Sequence, residues 1–358
     1  MWFKSIMGIF TRISSFSGLL DEEFKHPAPH IIWRIRSIVR GHPSRSIALL
    51  PPDIRSSGRY IRLTKFERRS AFYNRMLYAA LHNKISQKLW LDKVRPSVSP
   101  PVTHYVAGDR VVPIADGVSA ITKRSQVPSL LEGDRAIFIK PADAGKGAGA
   151  FRAAREGRGF RINGDYLDRS GMDQWVKGLP LGFMISEIIE QSAWARQIFP
   201  DAVNSVRVLT ATSAVDYRVV ILAATLKCAT SRSAPTDNFL KGTGGTVSAI
   251  DLETGVLGPC VSFNEERFAR TLSDTHPETG TLLAGVTVPH WQMICETVSE
   301  LSGILPRPGL VGWDIALRED GVTVIEMNTR PGVDSVQSAA SLLDTEPKRR
   351  ILAEFRMI

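Results

Sequence analysis

The feature that most constrains the fold is the series of short, β-branched segments that fills the chain after residue 100. Each segment has the length of a strand and is bounded by Gly or by Asp and Asn turns. Strands do not alternate strictly with helices, as a parallel sheet would require, so the sequence predicts an α+β fold with mainly antiparallel strands. The predicted strands are RVVPI near 111, AIFIKP near 138, SVRVLTAT near 208, YRVVILAATL near 220, GTVSAID near 247 and VTVIEMN near 325, and helical segments fall at about 165–178 and 289–303.

The first hundred residues differ from the rest in texture and in charge. Residues 31–100 are predicted to be helical, with a second helical run from Lys65 to Trp90. Residues 1–100 hold 18 Lys and Arg against 6 Asp and Glu, a net charge of +12. Residues 101–358 hold 27 against 30, a net charge of −3, which together with +12 gives the +9 of the chain. Aromatic residues are not interleaved with the cations as stacking platforms for a nucleic acid would be. We therefore expect no nucleic-acid partner and interpret the basic part as a docking face for an anionic surface, partner or substrate.

Residues 1–20 are a candidate for peripheral contact with a membrane. Their apolar residues fall at helical spacing, and Lys4 and Arg12 interrupt the apolar stretch, which argues against a signal peptide. A helix packed on its own domain is an equally good interpretation. No apolar run is long enough to span a bilayer, and the three cysteines lie far apart without a CxxC, which favours a reducing compartment. The expected location is the cytoplasm, with peripheral attachment to the inner membrane face as an option.

The strongest chemical signal is a predicted hairpin near the C-terminus, in which GWDIAL from residue 312 and VTVIEMN from residue 322 flank an Asp-Gly turn. Glu326 and Asn328 lie two residues apart and so share one face of their strand, and Asp314 on the partner strand can join them. Two carboxylates and an amide oxygen are the hard ligands that hold Mg²⁺ against phosphates. Arg330 follows at once, where a guanidinium can hold a phosphoryl group or a carboxylate. Taken singly, each of these residues would be an ordinary polar group at a strand end.

A second signal is a predicted strand that ends in Lys140 and is followed by the glycine-rich segment ADAGKGAG, residues 142–149. Backbone N–H groups in such a loop can cradle phosphate oxygens. The loop is not a Walker A motif, because the Lys precedes the glycines and no Ser or Thr follows, and it does not match a dinucleotide fingerprint. Between the two signals lies the apolar strand MISEIIEQ, residues 184–191, whose backbone edge suits an adenine and whose Glu side chains suit ribose hydroxyls.

In this order the motifs resemble the ATP-grasp superfamily, and within it most closely the sugar-transfer-associated ATP-grasp family. Further matching segments are NSVRVLT from residue 204, DNF from 237, GG at 244–245, DLETG from 251, HPETG from 276 and VPHW from 288. The resemblance runs from about Asn83 to Gln337 and implies two α+β subdomains that clasp ATP. The implied division is a basic helical extension at 1–60, a pre-ATP-grasp-like region at 61–130, a small ATP-grasp subdomain at 131–190, a large one with the Mg²⁺ and acceptor site at 191–345, and a C-terminal tail at 346–358.

The resemblance also implies a role for each matched residue. Around the γ-phosphate and the acyl group it implies Arg207, Lys227 and Arg330. For ATP it implies Lys140 and Lys146 on the phosphates, Gly145, Gly147 and Gly149 in the loop above them, Glu187, Ile188 and Ile189 along the adenine, and Glu190 or Asn204 at the ribose. For one or two Mg²⁺ ions, with Mn²⁺ as a substitute, it implies Asp314, Glu326 and Asn328. Gln191 has no role here, because the family usually has a His soon after this Gln and this chain does not.

The implied activity is ATP-dependent carboxylate–amine ligation through an acyl phosphate, with a sugar acid, an amino acid or a glycan or natural-product precursor among the expected small-molecule substrates. A kinase of the same superfamily, which phosphorylates a hydroxyl group, is one alternative. An alternative of another class is a basic membrane- or nucleic-acid-binding protein on a non-catalytic ATP-grasp scaffold. The oligomeric state stays open, with a homodimer as one option.

Overall fold

The computed structural model describes residues 17–21, 23–25, 28, 30–133, 135–143 and 149–358. Its helices are Ile31–Val39 (α1), Ser44–Leu49 (α2), Pro52–Ser57 (α3), Leu63–Tyr73 (α4), Arg75–Leu81 (α5), Lys84–Val94 (α6), Arg169–Gly178 (α7), Ala193–Ile198 (α8), Trp291–Gly303 (α9), Asp334–Ala339 (α10) and Glu346–Glu354 (α11). Its strands are Val102–Ala107 (β1), Arg110–Pro113 (β2), Ala136–Pro141 (β3), Phe151–Glu156 (β4), Gly159–Ile162 (β5), Asp165–Leu167 (β6), Phe183–Glu187 (β7), Ser205–Thr212 (β8), Val219–Cys228 (β9), Thr246–Ile250 (β10), Leu257–Asn264 (β11), Ala269–Ser273 (β12), Gly309–Arg318 (β13) and Gly321–Asn328 (β14).

Two seven-stranded sheets carry the fold. The first has the order β2–β1–β7–β3–β4–β5–β6 and the second the order β12–β11–β10–β9–β8–β13–β14. Neighbouring strands within each sheet run antiparallel. The predicted α+β class with mainly antiparallel strands is therefore confirmed, and each of the six predicted strands is present. The helix predicted from about residue 165 begins only at Arg169, because residues 165–167 form β6 and pair with β5.

The single helical run predicted from Lys65 to Trp90 is wrong. The segment forms α4, α5 and α6, and the breaks fall at two asparagines, a residue type that favours helix ends over helix interiors. At the first break, the side chain of Asn74 bonds the backbone of β13 and of Thr329. At the second, Oδ1 of Asn83 accepts a hydrogen bond from the backbone N–H of Ile85 at 2.8 Å and caps α6.

Each sheet packs one face against its own apolar core, so polar and charged side chains lie on the opposite face. The first sheet packs Ile137 and Ile139 of β3 against a core that includes residues of α7. The second sheet packs against α9, around the fully buried Trp313. Because successive side chains alternate along a strand, Lys140 lies on the opposite face of β3 from those two isoleucines.

Two sequence predictions fall largely outside this description. Residues 1–16 of the candidate membrane segment are not among the described residues, and neither are Gly145, Lys146 and Gly147 of the glycine-rich loop. Within the described part of the chain, no helix combines the length and the apolar character that a membrane span needs.

Candidate active site

Three neighbouring strands of the second sheet bring charged side chains into one row. Arg207 on β8 lies directly opposite Asp314 on β13, and Asp314 lies directly opposite Glu326 on β14. Asn328 shares the face of Glu326, and its Nδ2 donates a hydrogen bond to Oδ2 of Asp314 at 3.1 Å. The pattern of alternating side chains thus brings together the three predicted metal ligands and one predicted catalytic cation, all from strands recognised in the sequence.

Asp314 is the centre of this row. Arg207 grips it in bidentate fashion, with Nε to Oδ1 and Nη2 to Oδ2 both at 2.7 Å, and Nζ of Lys227 lies 3.2 Å from Oδ1. Burial works to raise the pKa of Asp314, but the two cations hold it well below its usual range. Asp314 is therefore an anion whose charge the protein already neutralises.

Lys227 is shared between two carboxylates. Besides Asp314 it contacts Asp237, with Nζ 3.0 Å from Oδ1, and Asp237 also accepts a hydrogen bond from the hydroxyl of Ser205, the residue opposite Lys227 on β8. Burial works to lower the pKa of Lys227, and the charges of Asp237 and Asp314 raise it. In the same way Asp314 raises the pKa of Arg207 against the effect of burial. Both cations stay fully charged while buried.

Glu326 is the most accessible of the three carboxylates. Its side chain is 23% exposed, against 11% for Asp314, and Oε1 lies 3.8 Å from Nζ of the buried Lys84. Lys84 is the first residue of α6, and its backbone N–H donates a hydrogen bond to the carbonyl of Ala142, just beyond β3. Lys84 thus connects the N-terminal helices, the first sheet and the charged row.

Lys140 completes the cluster from the first sheet. Burial lowers the pKa of Lys140, the negative charge of Glu326 opposes this shift, and the positive charge of Lys84 adds to it. The cleft therefore holds four cations, which are Lys84, Lys140, Arg207 and Lys227, against three carboxylates, which are Asp237, Asp314 and Glu326. A cation excess among largely buried groups suits a polyanionic ligand.

Arg330 lies next to this cluster and is held by an aromatic ring. Its guanidinium stands 3.7 Å from the ring centroid of Tyr78, which stacks in turn on His82. The neighbouring Pro331 approaches Gly312 so closely that an added Cβ there would lie 2.9 Å from the proline Cβ and 3.4 Å from Nη1 of Arg207. Glycine at 312 therefore lets the segment that carries Arg330 close over β13.

The residues predicted to contact the nucleotide lie in different parts of the first sheet and its connections. Glu187 ends β7, and residues 188–190 continue as the connection from the first sheet to α8 and the second sheet, where Glu190 is exposed. Gly149 has a φ of +70°, and a Cβ there would lie 3.1 Å from Pro141, so only glycine fits readily behind the loop.

Asn204 requires a correction, because the structure does not bring it to the cleft. Its side chain is fully buried, with Nδ2 donating to the carbonyls of Ala195 and Phe199 at 2.9 Å and Oδ1 accepting from the N–H of Ala229. Gln191, which had no predicted role, bonds the backbone of Asn204 at 2.7 Å. Both residues thus support the backbone around β8, and Glu190 remains the ribose candidate.

Lys84, Asp237 and Tyr78 are site residues that sequence reasoning missed. Lys84 and Asp237 belong to segments that carry the family resemblance, and an Asn-Lys pair at a helix start is a weak signal for the first. The sequence around Tyr78 carries no signal for a site residue. Tyr78 contributes by stacking against Arg330, which is more than 250 residues away in the chain.

The donor set fits a hard divalent cation only in part. Glu326 and Asn328 supply a carboxylate and an amide oxygen, and Asn328 uses its amide N–H and not its oxygen on Asp314. Both oxygens of Asp314 already accept from Arg207. Among the described residues no three His, Cys, Asp or Glu side chains form a metal site by themselves, so the amide is a necessary member of the set.

Several solved structures are similar to this chain. D-alanine–D-alanine ligase from Helicobacter pylori is 12% identical, with a TM-score of 0.40, over 76% of this chain and 60% of its own. D-alanyl-alanine synthetase A from Vibrio cholerae O1 biovar eltor str. N16961 is 11% identical, with a TM-score of 0.41, over 78% and 65%. L-amino acid ligase from Bacillus licheniformis is 13% identical, with a TM-score of 0.39, over 78% and 50%. This chain spans less than two thirds of the length of each of them.

No curated protein matches the chain. The family described as sugar-transfer associated ATP-grasp matches residues 63–345, which includes every element from α4 to β14 and both sheets. The two antiparallel sheets with their helices are therefore an ATP-grasp fold, and the chain belongs to the sugar-transfer associated ATP-grasp family.

Proposed function

We propose that this chain is an ATP-dependent carboxylate–amine ligase. The observation that carries the proposal is the cluster of desolvated cations around Asp314 and Glu326, contributed by both sheets and by α6. Such a cluster can bind a triphosphate and stabilise charge on a transferring phosphoryl group, which is most of what phosphoryl transfer asks of a protein. Membership of an ATP-grasp family makes ATP the expected triphosphate.

In the proposed reaction, a carboxylate oxygen of the substrate attacks the γ-phosphorus of ATP, and the bond from that phosphorus to the β,γ-bridging oxygen breaks to release ADP. An amine then attacks the acyl carbon, loses a proton and displaces inorganic phosphate, which leaves an amide. Lys84 and Lys140 would hold the phosphates, and Arg207, Lys227 and Arg330 would hold the transferring group and the acyl oxygen. The backbone of residues 187–189 would line the adenine, with Glu190 near the ribose.

Glu326 and Asn328 would hold Mg²⁺. Asp314 would become the third oxygen ligand by exchanging one of its hydrogen bonds from Arg207, Lys227 or Asn328 for the ion. The ion would supply positive charge to the phosphate oxygens, and Mn²⁺ prefers the same oxygen ligands. The substrates would be small molecules, with a sugar acid, an amino acid or a related precursor as the carboxylate.

The test is a phosphate-release screen of carboxylates against amines, followed by mass spectrometry of the product. An amide formed together with ADP and phosphate supports ligation, whereas a stable phosphate ester formed with ADP alone would assign a kinase instead. Glu326→Gln should lower turnover at least about a hundredfold, because it removes charge from the Mg²⁺ site. Glu253→Gln, on an exposed turn, is the matched control and should keep full turnover. Equal turnover in both variants would contradict the metal assignment.

A further inference from the structure

Helix α1 turns its apolar face to solvent. Ile31, Ile32, Ile35 and Val39 are 61%, 62%, 55% and 76% exposed, and they lie along one side of the helix at spacings of one, three and four residues. On the other side Ser37 is buried and Trp33 packs edge-on against Phe268 at 5.7 Å. The helix thus packs on the protein through its partly polar side and exposes its apolar side. An ordinary surface helix does the opposite and buries its apolar side.

An arginine-lined cavity lies at the end of this stripe. The residue after Val39 is Arg40, which together with Arg55 and Arg62 lines a cavity of about 270 Å³. Its other lining residues are Ser56, Ser57, Gly58 and Tyr60. Among the ion pairs of the described residues, none joins a carboxylate to Arg40, Arg55 or Arg62 within 4.0 Å. The surrounding charge is positive too: the pKa of Lys65 is lowered first by burial and then by Arg69, Arg62 and Arg68.

Both features belong to the part of the chain that precedes the family match at residue 63. They therefore add to the ATP-grasp unit a surface that combines exposed aliphatic side chains with unpaired guanidiniums. Hereafter this surface, made of the α1 stripe and the arginine cavity, is called the α1 surface.

Charge decides which occupant fits the α1 surface. Residues 1–16 carry Lys4 and Arg12 and no Asp or Glu, so folding that segment over α1 would bring cations together with no acid to neutralise them. A second copy docked through the same face would set arginine against arginine, with Arg36 and Arg40 exposed on each helix. An anionic bilayer offers what both lack, since it accepts aliphatic side chains at the acyl boundary and places phosphates at the level of the arginines.

We infer that the α1 surface docks on an anionic membrane, with Ile31, Ile32, Ile35 and Val39 entering the interface and a lipid phosphate bound between Arg40, Arg55 and Arg62. The inference is independent of the proposed ligase activity. It makes the protein peripheral, held by one amphipathic helix and one headgroup site.

The test is co-sedimentation of the full chain with vesicles of phosphatidylcholine alone or with roughly 30% phosphatidylglycerol. We expect binding only to the anionic vesicles, and weaker binding when salt rises from about 0.1 M to about 1 M, because the Debye length falls from about 10 Å to about 3 Å. Two triple variants should each lower vesicle affinity at least about tenfold. They are Arg40→Gln/Arg55→Gln/Arg62→Gln and Ile32→Ser/Ile35→Ser/Val39→Ser.

Matched triple variants on other exposed elements keep the same changes in charge and polarity. They are Arg158→Gln/Arg232→Gln/Arg350→Gln and Val215→Ser/Leu282→Ser/Ile304→Ser, and both should bind vesicles like the unmodified chain.

Four results would overturn the inference: no binding to anionic vesicles, equal loss in test and control variants, a lipid-free dimer that the serine variant of α1 abolishes, or binding of inorganic phosphate or glycerol 3-phosphate at the cavity without vesicle binding. The last result would assign the cavity to a soluble phosphate ester. Because vesicle binding is read without ATP or substrate, failure here leaves the ligase proposal untouched, and failure of the ligase screen leaves this one untouched.

Discussion

Asp314 and its two cations show how single residues fix charge within the cleft. Arg207 and Lys227 are held at 2.7 Å and 3.2 Å from the Asp314 carboxylate, so both are already desolvated and oriented. Removing one partner of a buried ion pair costs about 3–5 kcal/mol, because the other charge is left unpaired. The fold thus holds both cations in place without a ligand, and the phosphates of the proposed reaction would require little reorganisation of them.

His42 allows a prediction about pH and stability. It is 1% exposed, and its Nε2 accepts a hydrogen bond from the backbone N–H of Leu63 at 3.2 Å. Burial lowers the pKa of His42 from 6.5 to about 4; Asp334 opposes the shift and Arg62 adds to it. Between these two values the unfolded chain binds more protons at His42 than the folded chain does. The contribution of His42 to the free energy of unfolding is therefore lost as the pH falls from about 6.5 towards 4.

We expect His42→Gln to reduce that pH dependence, because Gln keeps an acceptor for Leu63 and does not titrate. Between about pH 7 and about pH 4.5 the free energy of unfolding of the variant should fall by about 2–3 kcal/mol less than that of the unmodified chain. Urea titrations at both pH values measure the difference. His30→Gln, at an exposed position, is the control. If the free energy of unfolding depended on pH equally in the His42 variant and in the unmodified chain, the His42 imidazole would not be the source of that dependence.

At the residue scale, the sequence predicts those site residues whose grouping follows from strand periodicity. Glu326 and Asn328 are two residues apart, and a short hairpin turn brings Asp314 beside them. Lys84 and Asp237 could not be placed, because only tertiary packing brings α6 and the segment after β9 to that hairpin. The prediction for Asn204 is wrong because the sequence next to a strand has the same character in two cases: when the polar residue faces a ligand, and when it forms hydrogen bonds with buried backbone.

Helices α4–α6 together hold the hairpin formed by β13 and β14. Asn74, at the break between α4 and α5, donates from Nδ2 to the carbonyl of Thr329 at 2.6 Å and accepts at Oδ1 from the N–H of Leu310 at 3.0 Å. Gln87 of α6 donates to the carbonyl of Met327 at 2.8 Å and accepts from its N–H at 2.9 Å. Since β14 is the last strand of the second sheet, Gln87 occupies an edge that would otherwise expose backbone groups.

Replacing either amide by an apolar side chain of similar size should therefore destabilise the whole protein. Asn74→Leu and Gln87→Leu each leave a buried backbone N–H and carbonyl of the hairpin region without a partner, at about 1–3 kcal/mol for each group. We expect a loss of about 2–6 kcal/mol in the free energy of unfolding, measured by urea denaturation. Gln292→Leu, on the exposed side of α9, is the matched control and should change stability little. Equal stability of all three variants would show that the hydrogen bonds from Asn74 and Gln87 to the hairpin do not stabilise the protein.

At the element scale, the local sequence pattern predicts where strands lie, but it does not predict which strands pair with each other. Hairpin neighbours such as β13 and β14 follow from a turn signal, whereas the pairing of β8 with β13 joins segments about a hundred residues apart. The breaks within residues 65–90 were missed because helical periodicity outweighs a single Asn, and the reason for the Asn74 break lies in the second sheet.

Over the whole molecule, the division of charge is less strict than the sequence suggests. The +12 of residues 1–100 includes Lys84, whose ammonium lies in the charged cleft with Glu326, so part of the basic region serves the same site as the sheets. The remainder includes the arginines that line the cavity beside α1. The excess therefore serves two surfaces.

A ligand bound among Lys84, Lys140 and Asp314 would contact α6, the first sheet and the second sheet at once, so it should stabilise the protein as one unit. MgATP at about a hundred times its Kd should add about 2.7 kcal/mol to the free energy of unfolding and raise Tm by several degrees. Lys84→Met should abolish most of that shift, because it keeps the long aliphatic stem and removes the charge that would meet a phosphate. The Tm of the variant without nucleotide is measured as its own baseline, because the contact with Glu326 is lost as well.

Lys93→Met, an exposed position on the same helix, should keep the full shift. A Lys84 variant that is stabilised by MgATP as much as the Lys93 variant would mean that the nucleotide does not reach α6. The three parts of the cleft would then have to be considered separately, since the charge of Lys84 would serve groups of the protein, Glu326 among them, and not a bound phosphate.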